Sequence, residues 1–314
     1  IDYFLLYADD KLYELITKAT NLTSVEKSGK SLNVSASEIK IFFGMTFLMS
    51  ILGYPQIRMY WGRATRVQTI ANAMTMDRYF MIQSNLKAVV DRLVEDSHKQ
   101  ENKIWKIEPV VNKFRDVCLA LPCPACVCID EQMIPFTGVS QLKQYVPRKP
   151  NPVGLKNFVL AAPSGLALDF CIYQAKTTFP TYNIDRKIAS LGESAVLYLS
   201  RTLEAGTKIY FDRYFTTISL LSVLHDRGIA GTGTLMKNRI PKGVKLLEDQ
   251  ALERLGRGSS DQSVNDEAKI AIVKWMDNKA IFLASTVSGV GEEDMCRRWS
   301  KKEKSLFKWN ILKL

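Results

Sequence analysis

The order of short apolar segments between residues 125 and 235 constrains the fold of this chain more than any other feature. Their lengths and periods predict three strands, then a helix, a strand, a helix and a final strand. These segments cover residues 125–130, 155–162, 166–173, 194–203, 207–212, 216–227 and 229–235. Pro163-Ser164-Gly165 predicts a hairpin turn and Gly228 predicts the end of the second helix. The pattern therefore indicates an α/β domain with a mixed sheet.

This succession of elements is the one found in ribonuclease H-like folds, in which the first and fourth strands lie side by side. Asp130 lies at the carboxyl end of the first predicted strand and Asp212 at that of the fourth, so this fold would bring two carboxylates together. Carboxylate oxygens suit Mg²⁺ and Mn²⁺, and a pair of such ions catalyses phosphodiester displacement. The alternative is that Asp130 only ends a strand and that Asp212 pairs with Arg213 or a nearby lysine. The two residues alone do not decide between these interpretations.

The charge of the chain favours a polyanionic partner. The chain has 43 Lys and Arg against 32 Asp and Glu, a formal net charge of +11, and basic groups that neutralise phosphates release condensed counterions. The alternative is a basic protein whose charge serves only solubility. Basic residues follow both aspartates, and we predict DNA contacts for Lys143, Arg148, Lys149, Lys156, Lys237 and Arg239.

Residues 1–121 carry the spacing of amphipathic helices, with segments at 1–27, 39–52, 78–93 and 107–121 and a polar loop at 95–102. Ser35 and Glu38 form a capping box before the apolar stretch 39–52. This stretch is shorter than the ~20 residues of a membrane span, so it predicts a buried helix and no membrane partner. Cys123, Cys126 and Cys128 resemble half of a zinc site, but without a second half they are interpreted as thiols in a reducing compartment.

Six segments resemble the transposase domain of the piggyBac family and occur in the order of that family. They are IWKIEPVVNKFRD (104–116), IDEQMIPFTG (129–138), LKQYVPRKPNPVGLKNFVLA (142–161), YFDRYFTT (210–217), GTGTLMKNR (231–239) and WMDNKAIFLAST (275–286). The resemblance covers essentially the whole chain. It implies a nuclear cut-and-paste transposase ancestry, with double-stranded DNA as substrate, insertion at TTAA sites and no small-molecule substrate. It also implies a homodimer.

By the same resemblance, Asp130 and Asp212 match the first and second catalytic, metal-binding aspartates of the family. The third lies in a GGVD motif beyond the 275–286 segment, and the chain reaches Leu314 without one. Val139 replaces an arginine that usually follows the FTG turn. Asp277 and Asp294 are interpreted as structural, Asp277 in a hairpin turn. We therefore expect weak or absent binding of Mg²⁺ or Mn²⁺ and no activity of this chain alone. The alternative is a domesticated, non-catalytic protein that binds DNA or chromatin.

These observations together predict four regions. Residues 1–122 form a helical dimerisation and DNA-binding region, and residues 123–237 form the ribonuclease H-like catalytic core. Residues 238–290 form an insertion that carries a β-hairpin, and its polar part, 241–267, is expected to be mobile. Residues 291–314 form a basic C-terminal segment, which the resemblance indicates to be truncated.

Overall fold

The structure is a computed structural model that describes residues 2–147, 149–179, 190–291, 293–300 and 304–312. In 293–300 and 305–312 only the backbone is described, and Arg148 lies outside the described residues. The chain divides into two compact units, Ile1–Ala120 and Leu121–Leu314. Each unit has its own hydrophobic core. No helix in the described part of the chain has the length and apolar character needed to cross a membrane.

All regular secondary structure in the described part of the first unit is helical. Its α-helices are α1 (Asp2–Tyr7), α2 (Asp10–Ser28), α3 (Ala36–Leu52), α4 (Gln68–Ala73), α5 (Met76–Asn85), α6 (Asp96–Glu101) and α7 (Glu108–Leu119). The predicted capping box is present, because the Ser35 hydroxyl accepts from the Glu38 N–H and the Glu38 carboxylate accepts from the Ser35 N–H. Gly53 ends α3 in the left-handed conformation, with φ of 66°, as is common after a helix.

Aromatic and aliphatic side chains from several helices form the first core. Ile39, Ile70 and Ile82 are fully buried. The buried Tyr79 ring stacks on a ring of α3 at 4.8 Å, and its hydroxyl lies 3.0 Å from the Thr46 hydroxyl. This hydrogen bond lets a polar group remain inside the core at little cost.

Two predictions for this unit differ from the structure. The helix predicted at 78–93 ends at Asn85, and the chain then turns so that Val90 is buried. The helical period is interrupted there, because the β-branched pair Val89-Val90 favours extended backbone. The predicted polar loop at 95–102 contains the short helix α6, in which Asp96 lies in the first turn and pairs with Lys99 at 2.9 Å.

The second unit is built on a nine-stranded mixed sheet with three α-helices among its described residues. Its strands are β1 (Cys126–Pro135), β2 (Lys143–Tyr145), β3 (Val153–Ala161), β4 (Ala167–Ile172), β5 (Lys208–Phe211), β6 (Ala230–Leu235), β7 (Ser260–Asn265), β8 (Ile270–Met276) and β9 (Ala280–Ser285). Its helices are α8 (Leu191–Leu199), α9 (Ile218–Asp226) and α10 (Asp249–Leu255). Strands β10 (Glu293–Ser300) and β11 (Ser305–Leu312) form a separate hairpin. Asp294 lies in β10.

The strand order confirms the ribonuclease H-like fold. β4 pairs with β3, and the sheet continues β3-β1-β5-β6. β1 runs antiparallel to β3 and parallel to β5, and β5 runs parallel to β6. The sheet then extends through β9, β8 and β7. The predicted neighbours, the first and fourth strands of the core pattern, are therefore adjacent as β1 and β5.

The helices pack on the sheet at very close range. Leu221 and Leu224 of α9 are fully buried in the second core. A Cβ atom on Gly231 of β6 would lie 2.6 Å from Leu221 Cδ2, and one on Gly233 would lie 2.3 Å from Thr216 Oγ1. These distances leave room for glycine alone, so the GTGT segment is explained by packing between helix and strand.

The region expected to be a mobile insertion contains regular structure. It includes α10 and the edge strand β7, which pairs antiparallel with β8. No residue of β7 is buried, so its sequence carries no alternation of apolar and polar residues. The predicted hairpin is confirmed as β8 and β9. Asp277 lies in its turn and forms an ion pair with Arg257, which fits the structural role expected from the sequence.

Candidate active site

Asp130 and Asp212 directly follow the last paired residues of two adjacent parallel strands. That pair in the register of β1 and β5 is Ile129 with Phe211, so Asp130 is the next residue of β1 and Asp212 is the first residue after β5. Neighbouring strands lie about 4.8 Å apart, and both residues are exposed. The structure thus brings together two acids that lie far apart in the sequence.

The strand that carries Asp130 does not end there, contrary to the prediction from the apolar pattern. β1 continues to Pro135, because β3 pairs with it along this stretch, including Asp130 with Val159. Only the partner on the other side, β5, ends at Phe211. Asp130 therefore lies within β1 at the level where β5 ends, and Asp212 is the first residue after β5.

A network of hydrogen bonds holds the turn that carries Asp212. Asp212 Oδ1 accepts from the Tyr214 N–H at 2.8 Å, and its carbonyl accepts from the Thr216 hydroxyl at 2.8 Å. Arg239 Nη1 donates to the carbonyls of Arg213, Tyr214 and Thr216 at 3.0, 3.1 and 2.8 Å. Hydrogen bonds from a charged donor are among the stronger ones in proteins. Arg239, predicted as a DNA contact, is thus engaged with the backbone beside Asp212.

The local environment makes Asp130 a weaker acid than usual. Desolvation by the surrounding protein raises its pKa, and the charge of the neighbouring Glu131 carboxylate raises it further. The Glu131 N–H, which donates to Asp130 Oδ1 at 2.8 Å, and the Lys149 ammonium oppose this rise. A bound cation stabilises the charged form of such a carboxylate more than it stabilises that of a fully solvated one.

Glu131 and Lys149 form an ion pair beside the two aspartates. The Lys149 Nζ atom lies 3.1 Å from Glu131 Oε1, and the Glu131 side chain is only 14% exposed. The other oxygen, Oε2, is buried without a hydrogen-bond partner among the described residues. Desolvation lowers the pKa of Lys149, but the hydrogen bond to Glu131 and the charges of Glu131, Asp130 and Asp212 outweigh it and raise the pKa. Lys149 is therefore a local counter-ion for the acidic site.

Lys156 contributes a second positive charge at the site. Its Nζ atom lies 4.4 Å from the centre of the Tyr214 ring and 5.0 Å from that of Phe158. Desolvation lowers the pKa of Lys156, and Lys149 lowers it further, although the charges of the acids at the site oppose this change. Cation–π contacts of this kind compensate a lysine for lost hydration.

Two of the remaining predicted DNA contacts, Lys143 and Lys237, interact with other groups in the described structure. Lys143 is exposed and donates to the Gly138 carbonyl at 3.0 Å. The Lys237 side chain is 74% exposed and its Nζ atom lies 3.6 Å from Asp249 Oδ2. Arg148 falls outside the described residues. Two residues of the site were not predicted from the sequence. Glu131 directly follows Asp130, and Tyr214 lies two residues after Asp212.

The donors present suit a divalent cation but form an incomplete set. Asp130 and Asp212 offer oxygen ligands of the type that Mg²⁺ and Mn²⁺ prefer. Within the described ranges, no group of three or more His, Cys, Asp or Glu residues lies close enough to hold a metal ion. This holds also for the described cysteines of the CPACVC segment. The two aspartates therefore fit part of a metal site.

A ribonuclease H-like sheet with two carboxylates in register on its central parallel strands defines the structural class of this protein. Comparisons with known proteins then identify its family. The family described as "Transposase IS4" matches residues 1–308. PiggyBac transposable element-derived protein 3 of Homo sapiens is 33% identical over 306 residues, covering 95% of this chain and 50% of that protein. The chain belongs to the piggyBac transposase family.

Two further comparisons agree. PiggyBac transposable element-derived protein 2 of Homo sapiens is 24% identical over 311 residues, covering 97% of this chain and 51% of that protein. A cryo-EM structure of the piggyBac transposase synaptic complex with hairpin DNA matches with a TM-score of 0.75 and 19% identity. The match covers 96% of this chain and 63% of that one and shows a shared fold. The chain spans about half the length of the curated relatives that it matches.

Proposed function

We propose that this chain is the core portion of a DNA transposase that cleaves and joins the strands of double-stranded DNA at TTAA sites in the nucleus. The observation that supports this proposal is the register of β1 and β5, whose last pair, Ile129 with Phe211, directly precedes Asp130 and Asp212. The net charge of +11 supports a DNA partner. Membership of the piggyBac family supports the reaction type.

Asp130 and Asp212 would hold Mg²⁺ or Mn²⁺, which when bound polarises a phosphodiester and neutralises its charge. The protein's own groups prepare this place. Arg239 fixes the turn that carries Asp212 through three backbone carbonyls. Lys149 and Lys156 add two positive charges beside the acids, where the phosphates of DNA would approach. These groups bind and orient the strand.

The same geometry supports a further part of the proposal, that these 314 residues do not cleave DNA alone. Two carboxylates provide too few ligands to offset the repulsion between two divalent ions, and the described residues contain no group of three or more His, Cys, Asp or Glu side chains arranged to hold a metal ion. We therefore propose weak metal binding. The second candidate function, non-catalytic binding of DNA or chromatin, is favoured by the same incomplete set of ligands.

Homodimer formation through the helical unit is also part of the proposal. Residues 41–52 contain no charged side chain, yet Phe47 is 49% and Ile51 81% exposed. The Phe4 ring packs against the Phe47 ring with centres 5.9 Å apart, so the apolar surface continues onto α1. Exposed apolar patches of this kind mark interaction sites.

DNA binding with and without Mn²⁺ separates the two functions. We expect the chain to bind a TTAA-containing duplex with an affinity that falls with salt, and Mn²⁺ to strengthen this binding in the wild type. Asp130→Ala should abolish the Mn²⁺ effect, while Asp226→Ala, an exposed carboxylate on α9, should retain it. Binding that ignores both Mn²⁺ and Asp130→Ala would favour the non-catalytic function. Specific nicking that requires Asp130 would contradict the proposed inactivity of the chain alone.

A further inference from the structure

One stretch of the first unit has arginine as its only charged residue type. Residues 41–76 contain no Asp, Glu, Lys or His, and their charged side chains are Arg58, Arg63 and Arg66. All three arginines are exposed, and none of them forms an ion pair with a described residue. This part of the surface therefore carries positive charge that no ion pair within the described chain neutralises.

A short loop holds the three arginines together. Arg58 lies in a 3₁₀ helix, Ile57–Trp61, and the chain then folds back so that the Val67 N–H donates to the Tyr60 carbonyl at 3.0 Å. The other two arginines lie between these bonded residues. The buried Tyr60 ties the loop to α3, because its hydroxyl donates to the Met49 carbonyl at 2.8 Å. The loop is thus formed in advance, and a partner would not have to order it.

Neighbouring side chains restrict two of the arginines. The Arg58 guanidinium lies 5.2 Å from the centre of the Phe80 ring on α5, and Arg66 Nη2 donates to Asn72 Oδ1 at 3.3 Å. A guanidinium that stacks on a ring keeps its in-plane N–H groups for an anion. Restricted side chains also lose less conformational entropy when they bind. These arginines are therefore well placed to accept a negatively charged partner.

Exposed apolar side chains adjoin the arginines. Tyr54 and Ile57 are 37% and 36% exposed, and the Tyr54 ring stacks on that of Tyr60 at 4.7 Å. Interfaces between proteins are enriched in aromatic residues and Arg and depleted in Lys, whereas contacts with DNA phosphates use both Arg and Lys. A phosphate backbone would also offer no apolar group to Tyr54 and Ile57. The composition of this surface therefore favours a protein partner.

We propose that the arginine surface, formed by Tyr54, Ile57, Arg58, Arg63 and Arg66, binds an acidic peptide segment of another protein. Carboxylates of the peptide match the fork of a guanidinium and pair with it through two hydrogen bonds. An apolar side chain of the peptide packs against the tyrosine and the isoleucine and is removed from water. This binding site lies within the first unit and goes beyond the proposed function, because it does not use the acidic site.

Fluorescence anisotropy with labelled synthetic peptides tests this inference. The first peptide repeats Glu-Glu-Leu, the second repeats Gln-Gln-Leu and the third repeats Glu-Glu-Ser. We expect the wild type to bind the first about tenfold more tightly than the second, because only the first presents carboxylates. The third should bind less tightly than the first, because it lacks the apolar side chain. Arg63→Ala/Arg66→Ala should lose about tenfold in affinity for the first peptide.

Two control variants separate a specific site from general attraction between charges. Lys11→Ala/Lys18→Ala removes two exposed positive charges from α2 in the same unit, and its affinity for the first peptide should stay within about twofold of wild type. Arg63→Lys/Arg66→Lys keeps the charge but not the fork, so it should lose about threefold. Unchanged thermal unfolding midpoints show that each variant folds.

The opposite results would overturn the inference. Equal binding of the Glu and Gln peptides by the wild type would contradict recognition of carboxylates. Equal losses in Arg63→Ala/Arg66→Ala and Lys11→Ala/Lys18→Ala would show general attraction without a site. If the two arginine substitutions weaken binding of a labelled DNA duplex and leave peptide binding unchanged, the surface binds DNA. If they abolish self-association measured by light scattering and leave peptide binding unchanged, the occupant is a second copy of the chain.

Discussion

Replacing Lys149 by Met should destabilise the second unit by about 2 kcal/mol. The substitution removes the ammonium 3.1 Å from Glu131 Oε1 and leaves a largely buried carboxylate without this counter-ion. Breaking a fully buried ion pair costs about 3–5 kcal/mol. The Lys149 side chain is 33% exposed, so water enters the site and lowers this cost. Met fills a similar volume, and the loss of charge dominates the effect.

Urea unfolding followed by fluorescence measures this change. With a slope of about 2 kcal/mol/M, the midpoint should fall by about 1 M. Lys143→Met is the matched control, because among the described residues the Lys143 ammonium donates only to the Gly138 carbonyl at the surface. It should shift the free energy of unfolding by less than about 0.5 kcal/mol. The double variant Lys149→Met/Glu131→Gln should recover part of the loss, because no buried charge is then left unpaired.

The pH dependence supplies a second signature of the same contact. The pKa of Lys149 is raised above its ordinary value of 10.5. A group whose pKa is raised in the folded protein stabilises it fully below the ordinary pKa and loses this effect as the pH rises through the raised one. The difference between wild type and Lys149→Met should therefore be constant near neutral pH and shrink above pH 10.5. Equal stability of Lys149→Met and Lys143→Met at neutral pH would refute the reasoning.

Three further predictions concern the groups around the site. Gly233→Ala should lower the free energy of unfolding by about 3 kcal/mol in urea, because its Cβ would lie 2.3 Å from Thr216 Oγ1. Gly44→Ala, whose Cβ would have nothing within 4 Å, should instead stabilise α3 by about 0.5–1 kcal/mol. Equal effects of the two substitutions would contradict the close packing around Gly233. Arg239→Ala should cost about 2 kcal/mol through its lost hydrogen bonds, and an unchanged midpoint would contradict the backbone clamp. Desolvation raises the pKa of Glu193, but hydrogen bonds outweigh this effect, so the pKa is lowered from its ordinary value of 4.5. The wild type should therefore have a higher thermal midpoint than Glu193→Gln above pH 4.5, and this difference should vanish as the pH falls through the lowered pKa.

The sequence predicts the central topology because each core strand carries its own signal. The apolar runs that end at Asp130 and Asp212 are short and bounded by turn residues, and the order of elements leaves few ways to connect them. The adjacency of β1 and β5 follows from that order. The positions of the two aspartates at the ends of neighbouring predicted strands could thus be inferred from the sequence alone.

Other features depend on partners that local patterns do not reveal. The continuation of β1 past Asp130 is set by its pairing with β3, and the strand character of β7 is set by β8. Arg239 lies in a basic cluster that suggests contact with phosphate, whereas in the structure it donates to three carbonyls. The ion pair between Glu131 and Lys149 joins residues brought together only by the folded loop after β2.

Mn²⁺ binding followed by electron paramagnetic resonance tests most directly whether Asp130 and Asp212 share one cation. The free Mn²⁺ signal is compared for the wild type, Asp130→Asn, Asp212→Asn, the double variant and the control Asp226→Asn. Groups that bind one ion act as a unit, so their effects are not additive. We predict that the wild type binds Mn²⁺ weakly and that either single substitution abolishes this binding. The double variant should lose it to the same extent, and Asp226→Asn should retain it. Independent, additive losses at positions 130 and 212 would contradict a shared site.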